Sequence, residues 1–314
     1  MSRFALIGAA GYMATRHMKA IAETGNDLVA AFDPNDSVGV IDQHFPEAHF
    51  FTEFERFDRH VYRLGSEPGQ SVEYVSICSP NYLHDAHARF ALRSGADAIV
   101  EKPLVLNPWN IDGLIELERN TGRRVYTVLQ LRLHPAIQAL KAEVAASPDR
   151  IRDVDLTYIT SRGRWYLASW KGDTKKSGGI ATNIGVHFFD MLHFVFGELK
   201  ASSVHHVSDI CASGYLEYER ARVRWFLSID KDDLPRVQAE AGQRTYRSIT
   251  MDGRSIEFSD GFTDLHTRSY EEILANRGFP LEENRVAIET VARIRTSTGG
   301  DTRGDRHPFM SCRS

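Results

Sequence analysis

The chain has 314 residues, enough for two domains of ordinary size, and its 42% hydrophobic and 25% charged residues are those of a globular protein. A net charge of -4 argues against a general polyanion-binding surface, and no apolar run approaches the ~20 residues needed to span a bilayer. Cys78, Cys211 and Cys312 are widely spaced with no C-x-x-C pair, which argues against a disulfide framework or a zinc site and fits a reducing compartment.

Met1-Ser2-Arg3-Phe4 leads directly into a strand pattern, so no signal peptide is expected and a cytoplasmic setting is the default. Phe4 to Ile7 is a short apolar run ended by Gly8, the pattern of a buried parallel strand. Helical spacing over Tyr12 to Glu23 follows, closed by Gly25-Asn26. Leu28 to Phe32 is a second strand, ended by Asp33-Pro34, and Val72 to Cys78 a third, followed by Ser79-Pro80-Asn81. The long stretch between them, Val38 to Gly69, is rich in phenylalanine and partly packed, with Arg56 to Gln70 expected as a surface insertion. His84 to Arg93 reads as a helix stopped by Gly95. Ala98 to Val100 is a strand ended by Glu101-Lys102-Pro103, Ile111 to Asn120 a helix, and Val125 to Leu129 again a strand. This alternation predicts an α/β fold with a doubly wound parallel sheet over residues 1–130.

Past Ala136 the pattern changes. A helix over Pro135 to Ala146 leads into alternating segments at Asp153 to Thr160, His205 to Cys211, Ala221 to Ile229 and Arg247 to Phe258. They predict a second α/β domain over 131–298 with a large open, mainly antiparallel sheet. Leu281 to Arg295 is an amphipathic helix, and 299–314, rich in Gly, Ser, Thr and Arg, reads as a flexible tail.

Three strand ends carry chemistry in the first domain. Gly8-Ala9-Ala10-Gly11-Tyr12-Met13 permits a tight turn, and the helix after it offers free amides to a pyrophosphate. Asp33, ending the next strand, stands where a carboxylate accepts from both ribose hydroxyls; it would repel a ribose phosphate, so NAD is preferred over NADP. In Ser79-Pro80-Asn81-Tyr82-Leu83-His84, Asn81 suits either a cofactor ribose or a plain turn and N-cap. No third ligand is spaced with His84 and His87, and no metal is expected. At Glu101-Lys102-Pro103, Lys102 beside a cationic nicotinamide would have its pKa lowered by like charge and could accept a proton. The bland alternative is a surface salt bridge at Glu101.

The second domain contributes Ser177-Gly178-Gly179 and then Asn183 and His187, four residues apart on an expected helix face. An amide that orients a hydroxyl, one turn before an imidazole that moves a proton, suits alcohol chemistry. Arg162 to Lys171 is basic and aromatic: Trp165 and Tyr166 are candidates to pack on nicotinamide or sugar, and Arg162 and Lys171 to meet a carboxylate or diphosphate. Arg16 is a further candidate for an acidic substrate. Arg132 and His134 suit either a place near the ligand or a helix start at Pro135, and Asp190 reads as a buried structural acid.

A Gly-rich first turn, a strand-end acid, S-P-N-x-x-H, E-K-P and G-G-x(5)-G-x-H, in this order over residues 1 to about 295, resemble the Gfo/Idh/MocA oxidoreductase family. Arg16-His17, Leu129-Gln130-Leu131-Arg132-Leu133-His134-Pro135, Gly163-Arg164-Trp165-Tyr166 and Ser169-Trp170-Lys171 are similar to one subgroup, the UDP-N-acetyl-2-amino-2-deoxyglucuronate (UDP-GlcNAcA) 3-dehydrogenases of bacterial surface-polysaccharide (O-antigen, lipopolysaccharide) pathways. The resemblance implies an N-terminal Rossmann domain that binds NAD through Gly8, Ala10, Gly11, Tyr12, Met13, Asp33, Ser79, Asn81, His84, Glu101, Lys102, Gln130 and Trp165. It implies Lys102 and His187 as the catalytic pair, Asn183 orienting the sugar hydroxyl, and Arg16, Arg162, Tyr166 and Lys171 on the substrate. It also implies recycling of NADH by 2-oxoglutarate, a tetramer or dimer, and no nucleic-acid or membrane partner. Many family members carry Asp at the Asn183 position; Asn cannot titrate, which shifts proton transfer onto Lys102. The rival readings are a family dehydrogenase of another sugar or polyol, such as inositol or a hexose, and a non-catalytic dinucleotide sensor.

Overall fold

The computed structural model describes residues 1–256 and 264–313. Two compact units emerge: Met1–Gln130 with Thr263–Arg285, and Leu131–Phe262 with Val286–Ser314.

The first unit holds six strands: β1 (Arg3–Ile7), β2 (Asp27–Phe32), β3 (His49–Phe51), β4 (Tyr74–Ile77), β5 (Asp97–Val100) and β6 (Val125–Thr127). They pair in parallel in the order β3-β2-β1-β4-β5-β6. Both faces are covered, so the strands are nearly continuous runs of buried apolar residues, as expected for a parallel sheet. The order reverses direction between β1 and β4, so the carboxyl ends of these two strands form the switch point where such sheets bind ligands. The Val38 to Gly69 stretch is partly packed, as expected, and most of its Arg56 to Gln70 portion is helical. It supplies β3 and the helix Phe54–Ser66, whose Phe54 and Phe57 pack on Phe32 and Phe90.

The units divide at 130 as the sequence suggests, but residues 264–285, expected in the second domain, group with the first. The helix Leu265–Leu274 belongs to the first unit, where Tyr270 and Ile273 join the core of Phe4, Leu6, Met18 and Ile21. Each such fully buried side chain contributes about 1.5–3 kcal/mol, enough to draw a distant segment back across the chain. Lys19 reaches Asp264 and Thr267 reaches Glu23 at the rim of this contact.

The second unit is built on a sheet of β7 (Arg152–Thr160), β8 (Leu199–Val207), β9 (Cys211–Tyr218), β10 (Ala221–Ser228), β11 (Thr245–Met251) and β12 (Arg254–Ile256), in the order β12-β11-β7-β10-β9-β8. Among the described residues only β7 and β10 pair in parallel; the other pairs are antiparallel, as expected for this domain. The segment expected as one strand from Arg247 is a hairpin. Asp252 and Gly253 both have positive φ (50° and 78°), the conformation an Asp-Gly pair adopts in a tight two-residue turn. Its expected end at Phe258 lies outside the described residues. The strand expected over His205 to Cys211 is likewise broken: His205 to Val207 end β8, residues 208–210 turn, and Cys211 opens β9.

Adjacent residues on a strand face opposite sides. Trp225 meets Phe189 of the helix Val186–Phe196 edge to face at 5.3 Å, while its neighbour Phe226 faces the other way. There Phe226 lies against His307 and Phe309, at 5.7 and 5.5 Å. The expected flexible tail is therefore corrected through residue 310. The Gly300 and Asp301 amides bond the carbonyls of His205 and Val204, His205 Nε2 meets the Arg303 carbonyl, and His307 is buried. Composition masks this, because the aromatic anchors are few and the remaining holding forces are backbone hydrogen bonds. Among the described residues no helix is long and apolar enough to cross a membrane.

Burial holds two histidines down to about 4: His87 in the first unit, with His84 adding to the effect, and His307 in the second. His307 is neutral, accepting from the Phe309 amide at Nδ1 while Nε2 faces Thr157 Oγ1 at 3.1 Å. Between about pH 6.5 and 4 the unfolded chain therefore binds more protons than the native one, and stability falls as pH falls through that window. Each pH unit costs up to about 1.4 kcal/mol per histidine. The variant His307→Gln keeps a donor for Thr157 but cannot titrate. Its melting temperature should fall less than that of the parent protein between pH 7 and pH 5; parallel curves would refute this origin of acid sensitivity.

Candidate active site

In the first unit the candidate residues stand at the carboxyl ends of β1, β2, β4, β5 and β6, along one edge of the sheet. Gly8 has φ +95°, and a Cβ there would lie 2.7 Å from the carbonyl carbon of Cys78 and the amide nitrogen of Ser79. Only glycine permits this approach of the first turn to the end of β4. The Gly8 and Ala9 amides bond the Phe32 carbonyl, and the Ala10 amide donates to Asp33 Oδ2 at 3.0 Å. Asn35 donates its amide to Asp33 Oδ1 at 2.9 Å. Two amides thus orient the Asp33 carboxylate, which retains acceptor capacity for further donors. Tyr12 is exposed, and the guanidinium of half-buried Arg16 lies over its ring at 5.9 Å. Met13 and Gln130 are half-buried.

The S-P-N-x-x-H segment is braced internally. Ser79 Oγ meets His87 Nδ1 at 2.9 Å, and Asn81 is buried at the start of a short turn, Asn81–Leu83. His84 turns Nδ1 to the Pro103 carbonyl at 2.7 Å and Nε2 to the Ser79 carbonyl at 2.8 Å. Both ring nitrogens of this buried residue face backbone carbonyls, and the N–H donates to one of them, so His84 lies between the ends of β4 and β5.

Glu101 is buried at 5% exposure, which rules out a surface salt bridge. Its Oε1 faces His17 Nε2 at 3.1 Å and His266 Nε2 at 2.7 Å, and its Oε2 accepts from the Lys102 amide at 3.2 Å. Burial alone would raise its pKa, but the hydrogen bonds from the two imidazoles prevail and hold the carboxyl well below its usual range. Two histidines and a carboxylate are also a zinc ligand set. Ligands about 2.0–2.2 Å from a tetrahedral ion stand about 3.3–3.6 Å apart, however, and the 2.7 Å between His266 and Glu101 is the length of a shared proton. Lys102 is half-buried, between buried Glu101 and buried Pro103.

In the second unit, Asn183 lies in a π-helical turn, Ala181–Gly185, and His187 in the first turn of the helix Val186–Phe196. The wider turn interrupts the regular 3.6-residue period on which the shared helix face was predicted. Asn183 Nδ2 donates to the hydroxyl of Tyr166. Tyr166 is buried, and burial raises its pKa against the opposing effects of Asn183 and Arg162. Tyr166, expected to pack on nicotinamide or sugar, thus orients the Asn183 carboxamide. His187 packs near Tyr158, ring to ring at 6.1 Å, and the Arg247 guanidinium lies over Tyr158 at 5.5 Å. Trp165 is 56% exposed, and Lys171 Nζ lies 4.4 Å from the Trp170 ring and 5.6 Å from the Trp165 ring. Arg162 is exposed, and its charge acts on Tyr166.

The open choice at Arg132 and His134 falls to structure. Arg132, 2% exposed, bonds Asp190 through two nitrogens, Nε at 2.9 Å and a terminal nitrogen at 2.7 Å, and lies over Phe194. His134 caps the helix Pro135–Ala145 by accepting from the Ala136 amide. Sequence reasoning missed His266, Tyr270 and Ser76 and gave His17 no role. The one available signal was the i, i+4 spacing of His266 and Tyr270 on an amphipathic helix.

The model of an oxidoreductase family with an NAD-binding Rossmann fold matches residues 2–129, and that of the same family's C-terminal alpha/beta domain matches residues 150–230. Two crystal structures of the WlbA (WbpB) dehydrogenase from Thermus thermophilus, one in complex with NAD and alpha-ketoglutarate and one with NAD and UDP-GlcNAcA, are 53% and 52% identical to this chain, with TM-scores of 0.95 and 0.94. Each alignment covers 98% of this chain and 100% of the other. The WlbA dehydrogenase from Bordetella pertussis shares the fold at 18% identity and a TM-score of 0.76, over 93% of this chain and 94% of its own. Inositol 2-dehydrogenase from Rhizobium meliloti (strain 1021) is 31% identical over 137 residues, 43% of this chain and 40% of that relative's length, so the match spans less than half of it. With both domain models matched in order and 53% identity to a solved relative over its full length, the chain belongs to the Gfo/Idh/MocA oxidoreductase family.

Proposed function

We propose that this protein oxidises the 3'-hydroxyl of UDP-GlcNAcA to the 3-keto sugar with NAD. The observation that carries the reading is the 52% identity, across the whole chain, to a dehydrogenase solved with NAD and UDP-GlcNAcA. The inositol dehydrogenase match covers only 43% of the chain and gives no comparable support for a polyol substrate. The residues present fit the cofactor: Gly8 lets the first turn close against the end of β4, and Asp33 is oriented by two amides to receive ribose hydroxyls. NAD, when bound, accepts the hydride released from C3'.

Lys102 takes the hydroxyl proton as the C–H bond breaks, so the alcohol becomes a ketone without accumulating charge on oxygen. Asn183, held by Tyr166, orients the hydroxyl, and His187 relays the proton onward. Arg16, Arg162 and Lys171 supply cations for the substrate's carboxylate and diphosphate. The alpha-ketoglutarate complex of the Thermus thermophilus enzyme supports 2-oxoglutarate as the acceptor that returns NADH to NAD. The family resemblance supports a cytoplasmic homo-oligomer, a dimer or tetramer, serving surface-polysaccharide synthesis.

Purified protein with NAD, UDP-GlcNAcA and 2-oxoglutarate should yield the 3-keto sugar, and UDP should raise its melting temperature where inositol does not. Stabilisation by inositol alone would favour a polyol substrate and sink this assignment. The variant Lys102→Ala should lose turnover by about 10²–10⁴-fold while still binding NAD. Turnover close to that of the parent would remove Lys102 from the mechanism.

A further inference from the structure

We propose that His17 and His266 are positioning residues for Lys102, acting through Glu101; the inference rests on the reading of Lys102 as the proton acceptor. Five side chains form one buried path in the first unit. Ser76 Oγ stands 2.6 Å from Tyr270 Oη, which stands 2.7 Å from His17 Nδ1. His17 Nε2 and His266 Nε2 then converge on one oxygen of Glu101, whose other oxygen holds the Lys102 amide. Ser76, Tyr270 and His17 are 0% exposed, His266 4% and Glu101 5%.

The proton positions follow from the acceptor at the end of the path. An ionised carboxylate only accepts, so both Nε2 atoms carry hydrogen and donate. With Nε2 donating to Glu101 and burial favouring the neutral ring, Nδ1 of His17 is left to accept the Tyr270 hydroxyl proton. The Tyr270 oxygen in turn accepts from Ser76. Every group has one role, and the direction runs from Ser76 to Glu101.

Such a path fixes the Glu101 carboxylate in one orientation. Oε2 then fixes the peptide nitrogen of Lys102, and His84 faces the carbonyl of Pro103 from the other side. The backbone is flanked on both sides of Lys102, which sets the direction in which its side chain leaves the strand end. A base must meet its proton at near-attack distance, and a shift of about 1 Å costs about 10²-fold in rate. His266 is supplied by the helix Leu265–Leu274, so the segment that returns to the first unit has a catalytic consequence as well as a packing one.

The test compares His266→Leu, which removes the donor, with His266→Gln, which restores one, and with Tyr270→Phe, which preserves shape but releases the His17 tautomer. His266→Leu should lower kcat by about 10²-fold with the NAD Kd changed less than about threefold, and should displace the basic limb of the kcat–pH profile. His266→Gln should recover at least about tenfold of that loss, and Tyr270→Phe should lower kcat by about tenfold. Should the Leu variant fail to fold, the Gln and Phe variants still decide the matter. Rates that follow only the fraction of protein able to bind NAD, with an unchanged pH profile and no advantage of Gln over Leu, would overturn the inference. So would one equivalent of zinc in the parent protein that His266→Gln loses. If Lys102→Ala abolishes turnover while the His266 and Tyr270 variants behave as the parent, this inference alone fails; if Lys102→Ala remains active, the reading beneath it fails.

Discussion

A carboxylate removed from water must be met by donors, and the first unit is organised around that requirement at Glu101. Leaving an ionised group of this kind unpaired costs several kcal/mol, a large part of the net stability of a domain. The donors come from three distant parts of the chain, residues 17, 102 and 266. They join the first helix, the end of β5 and the helix Leu265–Leu274. The same anion that is costly in isolation thereby specifies which segments must meet. Hydrophobic burial of Tyr270 and Ile273 supplies most of the attraction, and the hydrogen bonds supply the register.

The second unit meets a different requirement. A mainly antiparallel sheet has two faces, and here each receives its own cover near β10. Trp225 faces the helix Val186–Phe196, and Phe226 faces His307 and Phe309. The π-helical turn at Ala181–Gly185 enters that helix close to the sheet, where a Cβ on Gly185 would come within 2.5 Å of Leu227. Asn183 is thus carried on backbone whose geometry is set by packing from below and by Tyr166 beside it.

The strand ends of the first unit were legible because local chemistry marks them. Gly8 is required by a close approach, Asp33 and Pro103 end their strands, and these signals need no knowledge of distant residues. The return of 264–285 was not legible, since nothing at His266 or Tyr270 distinguishes a core helix of one domain from that of the next. The tail failed for a related reason: Gly, Ser and Thr suggest disorder, but backbone hydrogen bonds to β8 are independent of side-chain composition. The regular helix assumed between Asn183 and His187 gave way to a π turn that periodicity does not encode. The Asp252-Gly253 turn was legible in principle, because the pair is a strong hairpin signal in itself.

The buried pair of Arg132 and Asp190 has a consequence for how this chain can change over generations. Removing either partner strands the other's charge in the interior at about 3–5 kcal/mol, whereas replacing both with apolar residues of similar volume is often near neutral. Two acceptable states are therefore separated by single-step intermediates that fold poorly. The two positions, 58 residues apart, can drift only together, and descendants of this sequence should carry both charges or neither.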